Sequence, residues 1–259
     1  MLTKEFMVQI SNAMTKTKED LSALARENIS NYNLEKGITY VPQKPSLKEE
    51  NFLIYRRTAS VPIAWPVVDF TEPGGMRNKN VVSVKGTREI NLFVNHWDAC
   101  LSSRDCYSVL EHRGLSVHFS IDNDGTIYQM CDIADIAQHA KPYNAKSVGV
   151  EITNAVELKY QDWYEKNGFG ARPIIETQDR VNGVKLGKIL GFYPIQLEAL
   201  KELWKAFHLF FHLPLQTLNG NKATFIHNSC KGFIHHYHIN REKQDCYGAL
   251  DIEQLLKEV

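Results

Sequence analysis

Side chains that can bind a metal are concentrated in one segment of the chain, residues 233–248. The candidates in it are His235, His236, Asp245 and Cys246. A histidine at the end of a strand and a carboxylate or thiolate some nine or ten residues later, across a loop, supply two corners of a tetrahedral zinc site. A third ligand must come from elsewhere, and His96 offers one, because it follows the apolar run Ile90-Asn-Leu-Phe-Val-Asn.

Other polar residues have both a functional and a structural interpretation. Adjacent strand residues face opposite sides of a sheet, so only one of His235 and His236 can point at a metal. Glu151 interrupts the apolar pattern Ser147-Val-Gly-Val-Glu-Ile-Thr, and it either acts in catalysis or points to the solvent face of a strand. His208 and His212 lie four apart on a predicted helix, but no acidic partner accompanies them, which favours core or surface histidines.

Composition excludes several classes of function. The chain has 259 residues, 43% of them hydrophobic, which suits one large domain or one domain with a smaller appendage. Thirty basic and thirty acidic residues cancel, which argues against binding to nucleic acid or anionic lipid. No apolar run approaches the roughly eighteen residues of a membrane span.

The cysteines indicate a reducing compartment. Five cysteines, an odd number at wide spacing, accompany an N-terminus without the features of a secretory signal. We therefore expect reduced thiols and a cytoplasmic location without a signal peptide.

The chain divides into two predicted parts. Residues 1–80 form an N-terminal extension, helical over residues 3–31 by apolar spacing and then rich in proline and loops. Residues 81–259 form the second domain, with strands at 81–85, 89–94, 147–153 and 232–237 and an amphipathic helix over 194–212. Asp124-Gly125 predicts the turn of a hairpin, and residues 156–191 are an inserted loop or hairpin.

Five sequence blocks, taken in order, resemble a known family. They are His96 after a strand; His118-Phe-Ser-Ile-Asp-Asn-Asp-Gly; His139-Ala-Lys-Pro-Tyr-Asn through Glu151; the Gln196-Leu-Glu-Ala-Leu helix; and His236-Tyr-His-Ile with Lys243 and Asp245. From about Asn91 to Gly248 the chain resembles the zinc-dependent N-acetylmuramoyl-L-alanine amidases of type 2. These are relatives of the animal peptidoglycan recognition proteins and of phage amidase lysins.

The resemblance implies a fold and a reaction. The fold is α/β, a mixed central β-sheet flanked by helices, with Zn²⁺ in a groove that binds peptidoglycan or a muropeptide. The reaction is hydrolysis of the amide between the lactyl group of N-acetylmuramic acid and L-alanine. The resemblance makes His96, His236 and Asp245 the metal ligands, Glu151 the general base and Lys243 the cation that stabilises the oxyanion; His139 and Asn144 match positions near the substrate.

The chemistry of amide hydrolysis calls for such residues. An amide carbonyl is a poor electrophile, so a zinc site with three protein ligands and one open position suits the reaction. A carboxylate then takes a proton from water, and a cation stabilises the charge of the transition state. Two histidines, one acid, one base and one cation supply these functions.

The sequence departs from the family pattern at two places. Asp245-Cys246-Tyr-Gly replaces Asp-Pro-Gly or Cys-Pro-Gly. In the family the basic residue lies two positions before the third ligand, and this spacing from Lys243 selects Asp245. The family's glycine lies two positions after that ligand, and this spacing from Gly248 selects Cys246. We expect Asp245 and keep Cys246 as the alternative. Lys141 stands where the family has glycine.

The resemblance leaves two classes of function, a cell-wall hydrolase and a peptidoglycan-binding module without turnover. The ligand set together with Glu151 and Lys243 favours the hydrolase, and a purely structural zinc site would normally have four protein ligands. Without a signal peptide, a phage lysin released at lysis or carried by the virion is expected, with a cytoplasmic amidase that recycles wall fragments as the alternative. Residues 1–80 are a candidate for binding the wall or a protein partner.

Overall fold

The computed structural model describes residues 51–218 and 229–259. The helix predicted over residues 3–31 lies outside this part of the chain, and a role of residues 1–50 in binding stays a prediction. The strands are β1 (Phe52–Tyr55), β2 (Ala59–Pro62), β3 (Val67–Asp69), β4 (Val81–Val82), β5 (Leu92–Trp97), β6 (Phe119–Ile121), β7 (Ile127–Gln129), β8 (Ile136–Ala137), β9 (Ser147–Ile152), β10 (Ile174–Glu176), β11 (Lys188–Leu190) and β12 (Gly232–His235). The α-helices of the described residues are α1 (Ser103–His112), α2 (Gln161–Lys166), α3 (Pro194–Phe211) and α4 (Ile252–Leu256).

A six-stranded mixed sheet forms the centre of the protein. Its strand order is β12-β5-β9-β6-β7-β3, with β6 and β7 antiparallel and every other neighbouring pair parallel. Helix α3 buries Trp204 and Phe207 against Phe93 and Phe233 of the sheet. Helix α1 buries its own side chains in a separate apolar cluster. The predicted mixed sheet flanked by helices is confirmed.

The elements with strong local signals form as the sequence predicts. Gly125 has a φ of +83° in the turn between β6 and β7, where its lack of a Cβ makes this backbone conformation accessible. Pro194 occupies the first turn of α3, the position at which a missing N–H costs least. The strand predicted over 81–85 is reduced to the two residues of β4, which pair with β8 outside the main sheet.

Residues 52–69 contribute to the main body of the fold. Strands β1 and β2 form a hairpin, and β3 joins the edge of the six-stranded sheet by pairing with β7. Leu53, Trp65 and Val67 are buried in the main core. The sequence predicts an extended, loop-rich stretch here, because strands of three and four residues broken by prolines carry little periodicity.

Residues 156–191, which the sequence predicts to be an insertion, contain helix α2 and the hairpin β10–β11, and a buried arginine joins them to the rest of the fold. The guanidinium of Arg172 lies 4.2 and 4.3 Å from the ring centroids of Tyr164 and Tyr193. It donates to four acceptors: the carbonyl oxygens of Thr153 and Gly191 and the side-chain oxygens of Asn123 and Gln196. No carboxylate of the described residues forms an ion pair with this guanidinium, so these neutral acceptors and the two aromatic faces stabilise its buried charge.

We expect Arg172→Met to destabilise the protein strongly. Methionine fills much of the volume but removes a donor from four buried acceptors, of which the Thr153 carbonyl and Gln196 Oε1 keep a second donor, for a loss on the order of 3 kcal/mol. For a domain of this size that corresponds to a drop in melting temperature of roughly 6–12 °C, measurable by calorimetry. Arg180→Met is the matched control, because Arg180 is exposed in the same segment. Equal melting temperatures for the two variants would contradict this interpretation of Arg172.

Within residues 51–218 and 229–259, none of the helices is both long enough and apolar enough to cross a lipid bilayer.

Candidate metal and catalytic site

The site is built at the carboxyl ends of three neighbouring parallel strands. His96 lies near the end of β5, directly opposite Glu151 of β9 in the sheet register. On the other side of β5, strand β12 ends at His235, which pairs with Asn95 of β5. His236 therefore follows just beyond the strand. Opposed residues of adjacent strands point to the same face, which brings His96 and Glu151 into one cleft.

Three polar atoms form a compact triangle in this cleft. His96 Nδ1 lies 3.0 Å from His236 Nδ1 and 3.1 Å from Asp245 Oδ2, and the third edge, between His236 Nδ1 and Asp245 Oδ2, is 3.0 Å. All three residues are buried. Among the described residues, this is the one group of three or more histidine, cysteine, aspartate or glutamate side chains close enough to hold a metal ion together.

The geometry of the triangle fits a zinc ion. Zinc–ligand distances of about 2.0–2.1 Å in a tetrahedron give ligand–ligand edges of about 3.3 Å, close to those of the triangle. Two imidazoles and one carboxylate are a donor set of catalytic zinc sites, which keep the fourth position open. Two imidazole nitrogens that face each other at 3.0 Å otherwise repel through their lone pairs unless a proton lies between them.

The electrostatics of the triangle favour the ligand forms of its side chains. Burial, together with the neighbouring His236, lowers the pKa of His96 to about 4, so this imidazole is neutral at pH 7. Burial alone would raise the pKa of Asp245, but its close polar contacts with His236 and His96 outweigh burial and hold that pKa below its usual value. A neutral imidazole beside an ionised carboxylate is what metal binding requires.

Glu151 is a buried carboxyl group with a perturbed pKa. Burial raises its pKa well above the usual value, Asp98 and Asp245 add to the effect, and Lys243 opposes it. Within the described part of the chain, Glu151 Oε2 is buried and has no hydrogen-bond partner. A carboxyl group with a raised pKa and a free oxygen in a cleft is suited to exchange a proton with a bound molecule.

The cleft around these residues has the size of a ligand site. Its volume is about 540 Å³, and its lining includes the triangle, Glu151, Lys243 and Asn144. Ligand sites typically have volumes of about 300–1,000 Å³. Lys243 is half-buried and close enough to lower the pKa of both His96 and Glu151.

A chain of hydrogen bonds extends from His96 away from the triangle. His96 Nε2 lies 3.1 Å from His139 Nδ1, His139 Nε2 lies 3.1 Å from Ser147 Oγ, and the Ser147 hydroxyl donates to the Tyr143 carbonyl over 2.9 Å. One assignment of protons satisfies every link: His96 donates to His139, and His139 donates to Ser147. That assignment leaves His96 Nδ1, the nitrogen that belongs to the triangle, without a proton. Gly149 makes room for the His139 ring, since a Cβ there would lie 2.4 Å from His139 Nδ1.

The other predicted residues lie as follows. Cys246 is fully buried in the main hydrophobic core, and His235 is stacked on Tyr237, so neither belongs to the triangle. Asn144 Oδ1 accepts the backbone N–H groups of His139 and Ala140, which shapes the cleft wall. His208 Nδ1 contacts the carbonyl oxygen of Leu213 at the end of α3, as suits a structural histidine.

Two residues of the site were not singled out from the sequence. Ser147 ends the hydrogen-bond chain from His96. Asp98 is half-buried and close enough to raise the pKa of Glu151, and desolvation raises the pKa of Asp98 itself to about 7 although hydrogen bonds from Asn154, Cys100 and Thr153 counteract it. The position of Asp98 two residues after His96 was the available signal for it, since residues two apart in extended chain point to the same face of a sheet.

The family of the chain follows from a direct match. The family model for N-acetylmuramoyl-L-alanine amidase (Amidase_2) matches residues 86–248, more than half of the chain. This protein therefore belongs to the N-acetylmuramoyl-L-alanine amidase family, as the resemblance predicted. No curated protein sequence is significantly similar to the chain.

Several solved structures are similar to this one. The N-acetylmuramoyl-L-alanine amidase LysC from Clostridium intestinale URNW has a TM-score of 0.44 and 15% identity, over 74% of this chain and 95% of LysC. The E. coli amidase AmiD, solved with the substrate anhydro-N-acetylmuramic acid-L-Ala-D-gamma-Glu-L-Lys, has a TM-score of 0.43 and 17% identity, over 70% of this chain and 66% of AmiD. Wild-type Drosophila PGRP-LB has a TM-score of 0.41 and 17% identity, over 72% of this chain and 91% of PGRP-LB.

Proposed function

We propose that this protein hydrolyses the amide bond between N-acetylmuramic acid and L-alanine in peptidoglycan, with a zinc ion held by His96, His236 and Asp245. The observation that carries the proposal is the triangle of three donors opposite an unpartnered carboxyl oxygen of Glu151, in one cleft. Membership of the amidase family supports the same reaction. When bound, zinc supplies Lewis-acid polarisation of the scissile carbonyl and a lower pKa for the attacking water.

Glu151 acts as the general base. Its raised pKa makes it a stronger base than an exposed glutamate, and burial holds its free oxygen toward the cleft. The proton that it takes from water is then available for the amine of L-alanine, which must be protonated in order to leave. One carboxyl group thereby serves both halves of the hydrolysis.

Lys243 stabilises the transition state. Its ammonium group carries charge in the same cleft and influences both His96 and Glu151. A cation aimed at the carbonyl oxygen acts on charge that exists only after water attacks, so its effect falls on the rate more than on substrate binding.

His139 and Asn144 are assigned to the cleft wall. Both side chains line the cleft in which the substrate would bind. Both ring nitrogens of His139 already have partners in the protein, so its contact with substrate is through the ring surface, and its hydrogen bonds serve His96.

The test is digestion of purified peptidoglycan by the full chain, followed by mass spectrometry of the soluble products. We expect release of stem peptides with a free L-alanine amino terminus, loss of release on treatment with a chelator, and recovery on adding zinc. Binding to peptidoglycan without release would instead indicate a recognition module and refute the hydrolase.

We expect His139→Phe to weaken zinc binding by about 10- to 100-fold, the usual cost of losing a hydrogen bond behind a metal ligand. Phenylalanine keeps the ring that packs over Gly149 but cannot accept from His96 Nε2, so the proton of His96 is free to move to Nδ1. Competition with a fluorescent chelator measures the affinity. His112→Phe, an exposed histidine of α1, is the matched control, and unchanged affinity in both variants would contradict the role of His139.

A further inference from the structure

The inserted segment reaches the site through a tight turn at its tip. Val181 and Val184 exchange backbone hydrogen bonds of 3.0 and 2.9 Å, and Asn182 and Gly183 between them have φ values of +49° and +83°. Asn-Gly is the residue pair that favours such a two-residue turn, because both positions require positive φ. The turn therefore has a defined shape from which the Asn182 side chain projects.

The Asn182 amide contacts the loop that carries the proposed site residues. Asn182 Nδ2 donates to the carbonyl oxygen of Lys243 over 2.8 Å and lies 3.2 Å from that of Asn240 and 3.4 Å from that of Tyr237. An amide has two hydrogens, so the three carbonyls share them, with the shortest bond at Lys243. A single side chain thus ties three points of residues 237–243 together.

Two further contacts join the insertion to the same loop. Val181 is fully buried in a small apolar cluster with Tyr237 and Tyr247. Thr177 packs so closely on Gly248 that a Cβ at residue 248 would lie 2.6 Å from Thr177 Cγ2. The insertion therefore contacts the loop on both sides of Lys243 and Asp245.

This loop has little structure of its own to fix its shape. After β12 it contains one 3-10 turn, His236–His238, and a few turn hydrogen bonds, and no strand or α-helix begins before Ile252. The positions of Lys243 and Asp245 must therefore come from tertiary contacts. Misplacement of a catalytic group by about 1 Å can cost on the order of 100-fold in rate.

We propose that the insertion 156–191 braces the loop 236–248, and that Asn182 is the residue that positions Lys243 and Asp245 through the carbonyl oxygens of that loop. The catalytic part of this inference rests on the proposed function; the brace itself does not. Asn182 belongs neither to the triangle nor to the cleft lining, and it contacts the lining residues Asn240 and Lys243 only at their backbone carbonyl oxygens. It is therefore a positioning residue and takes no direct part in the chemistry.

The test compares Asn182→Asp with Asn167→Asp in the full chain. Aspartate at position 182 keeps the size and the tolerance of positive φ but replaces the N–H donors with a carboxylate that repels the three carbonyls. Asn167 is the matched control, because its amide also donates to a carbonyl within the insertion, that of Trp163, but at an exposed site away from the loop. Hydrogen exchange, zinc affinity and kinetics on a muropeptide are measured for each variant.

We expect Asn182→Asp to speed exchange of the hydrogen-bonded loop amides of Ile239, Asn240, Lys243 and Tyr247 by about tenfold or more, with the central sheet unchanged. We also expect weaker zinc binding and a kcat lower by roughly 10- to 100-fold, with KM within about twofold, while Asn167→Asp matches the wild type. Unchanged exchange in the loop overturns the brace. Faster exchange with unchanged kcat and zinc affinity overturns the positioning role.

The outcomes separate this inference from the proposed function. If the wild-type protein hydrolyses no muropeptide, the proposed function fails, and the exchange comparison still decides whether the insertion braces the loop. If both variants loosen the loop equally, the effect is general destabilisation of the insertion, and the assignment to Asn182 is overturned.

Discussion

Glu151→Gln is expected to abolish most hydrolysis while zinc remains bound. Glutamine preserves the size of the side chain and its place opposite His96 but cannot accept a proton from water. Loss of a general base typically costs about 100- to 10,000-fold in rate, and we expect kcat to fall in that range. Steady-state kinetics on a muropeptide, with zinc content by elemental mass spectrometry, measures both properties.

Glu242→Gln is the matched control for this variant. Glu242 is an exposed glutamate in the lining of the same cleft, so the change removes an equal charge from the same region. Its kcat should remain within about threefold of the wild type, since screened surface charges have small effects. A Glu151→Gln protein with wild-type kcat would remove Glu151 from the mechanism.

The adjacent pair Asp245 and Cys246 should respond to substitution in opposite ways. Asp245 Oδ2 completes the triangle, so Asp245→Ala should weaken zinc binding by more than about 100-fold and abolish hydrolysis. This loss exceeds the usual cost of losing a hydrogen bond behind a metal ligand. Cys246 lies in the core, so Cys246→Ala should retain zinc and activity and lower the free energy of unfolding by roughly 1–2 kcal/mol through a small cavity.

Zinc titration and chemical denaturation of the two variants measure these effects. They also decide between the two ligands that the sequence left open. Zinc loss in Cys246→Ala together with retention in Asp245→Ala would reverse the assignment of the third ligand.

The sequence predicts those parts of the fold that have local signals. The turn at Gly125 and the helix that begins at Pro194 each follow from a few neighbouring residues. Strand β3 has no such signal, because its three residues become a strand only by pairing with β7, 60 residues later in the chain. Its membership of the sheet follows from packing that a short window of sequence does not contain.

The candidate site likewise combines residues that local sequence patterns reveal with residues that only long-range packing brings into place. The residue types and their placement at strand ends lead to His96 and Glu151, because the pattern of each strand is visible in its own sequence. Which of His235 and His236 faces the site depends on where β12 ends, and pairing with β5 sets that end at His235. The contacts of Asn182 with the loop span 55 to 61 residues of sequence, so only the folded chain reveals them.

The most direct test of the account is a crystal structure of the protein grown with zinc, with anomalous diffraction data collected at the zinc absorption edge. We predict one strong peak about 2.0–2.2 Å from His96 Nδ1, His236 Nδ1 and an Asp245 carboxylate oxygen, with the fourth position open to the cleft beside Glu151. A peak at other residues, or a protein side chain in the fourth position, would contradict it.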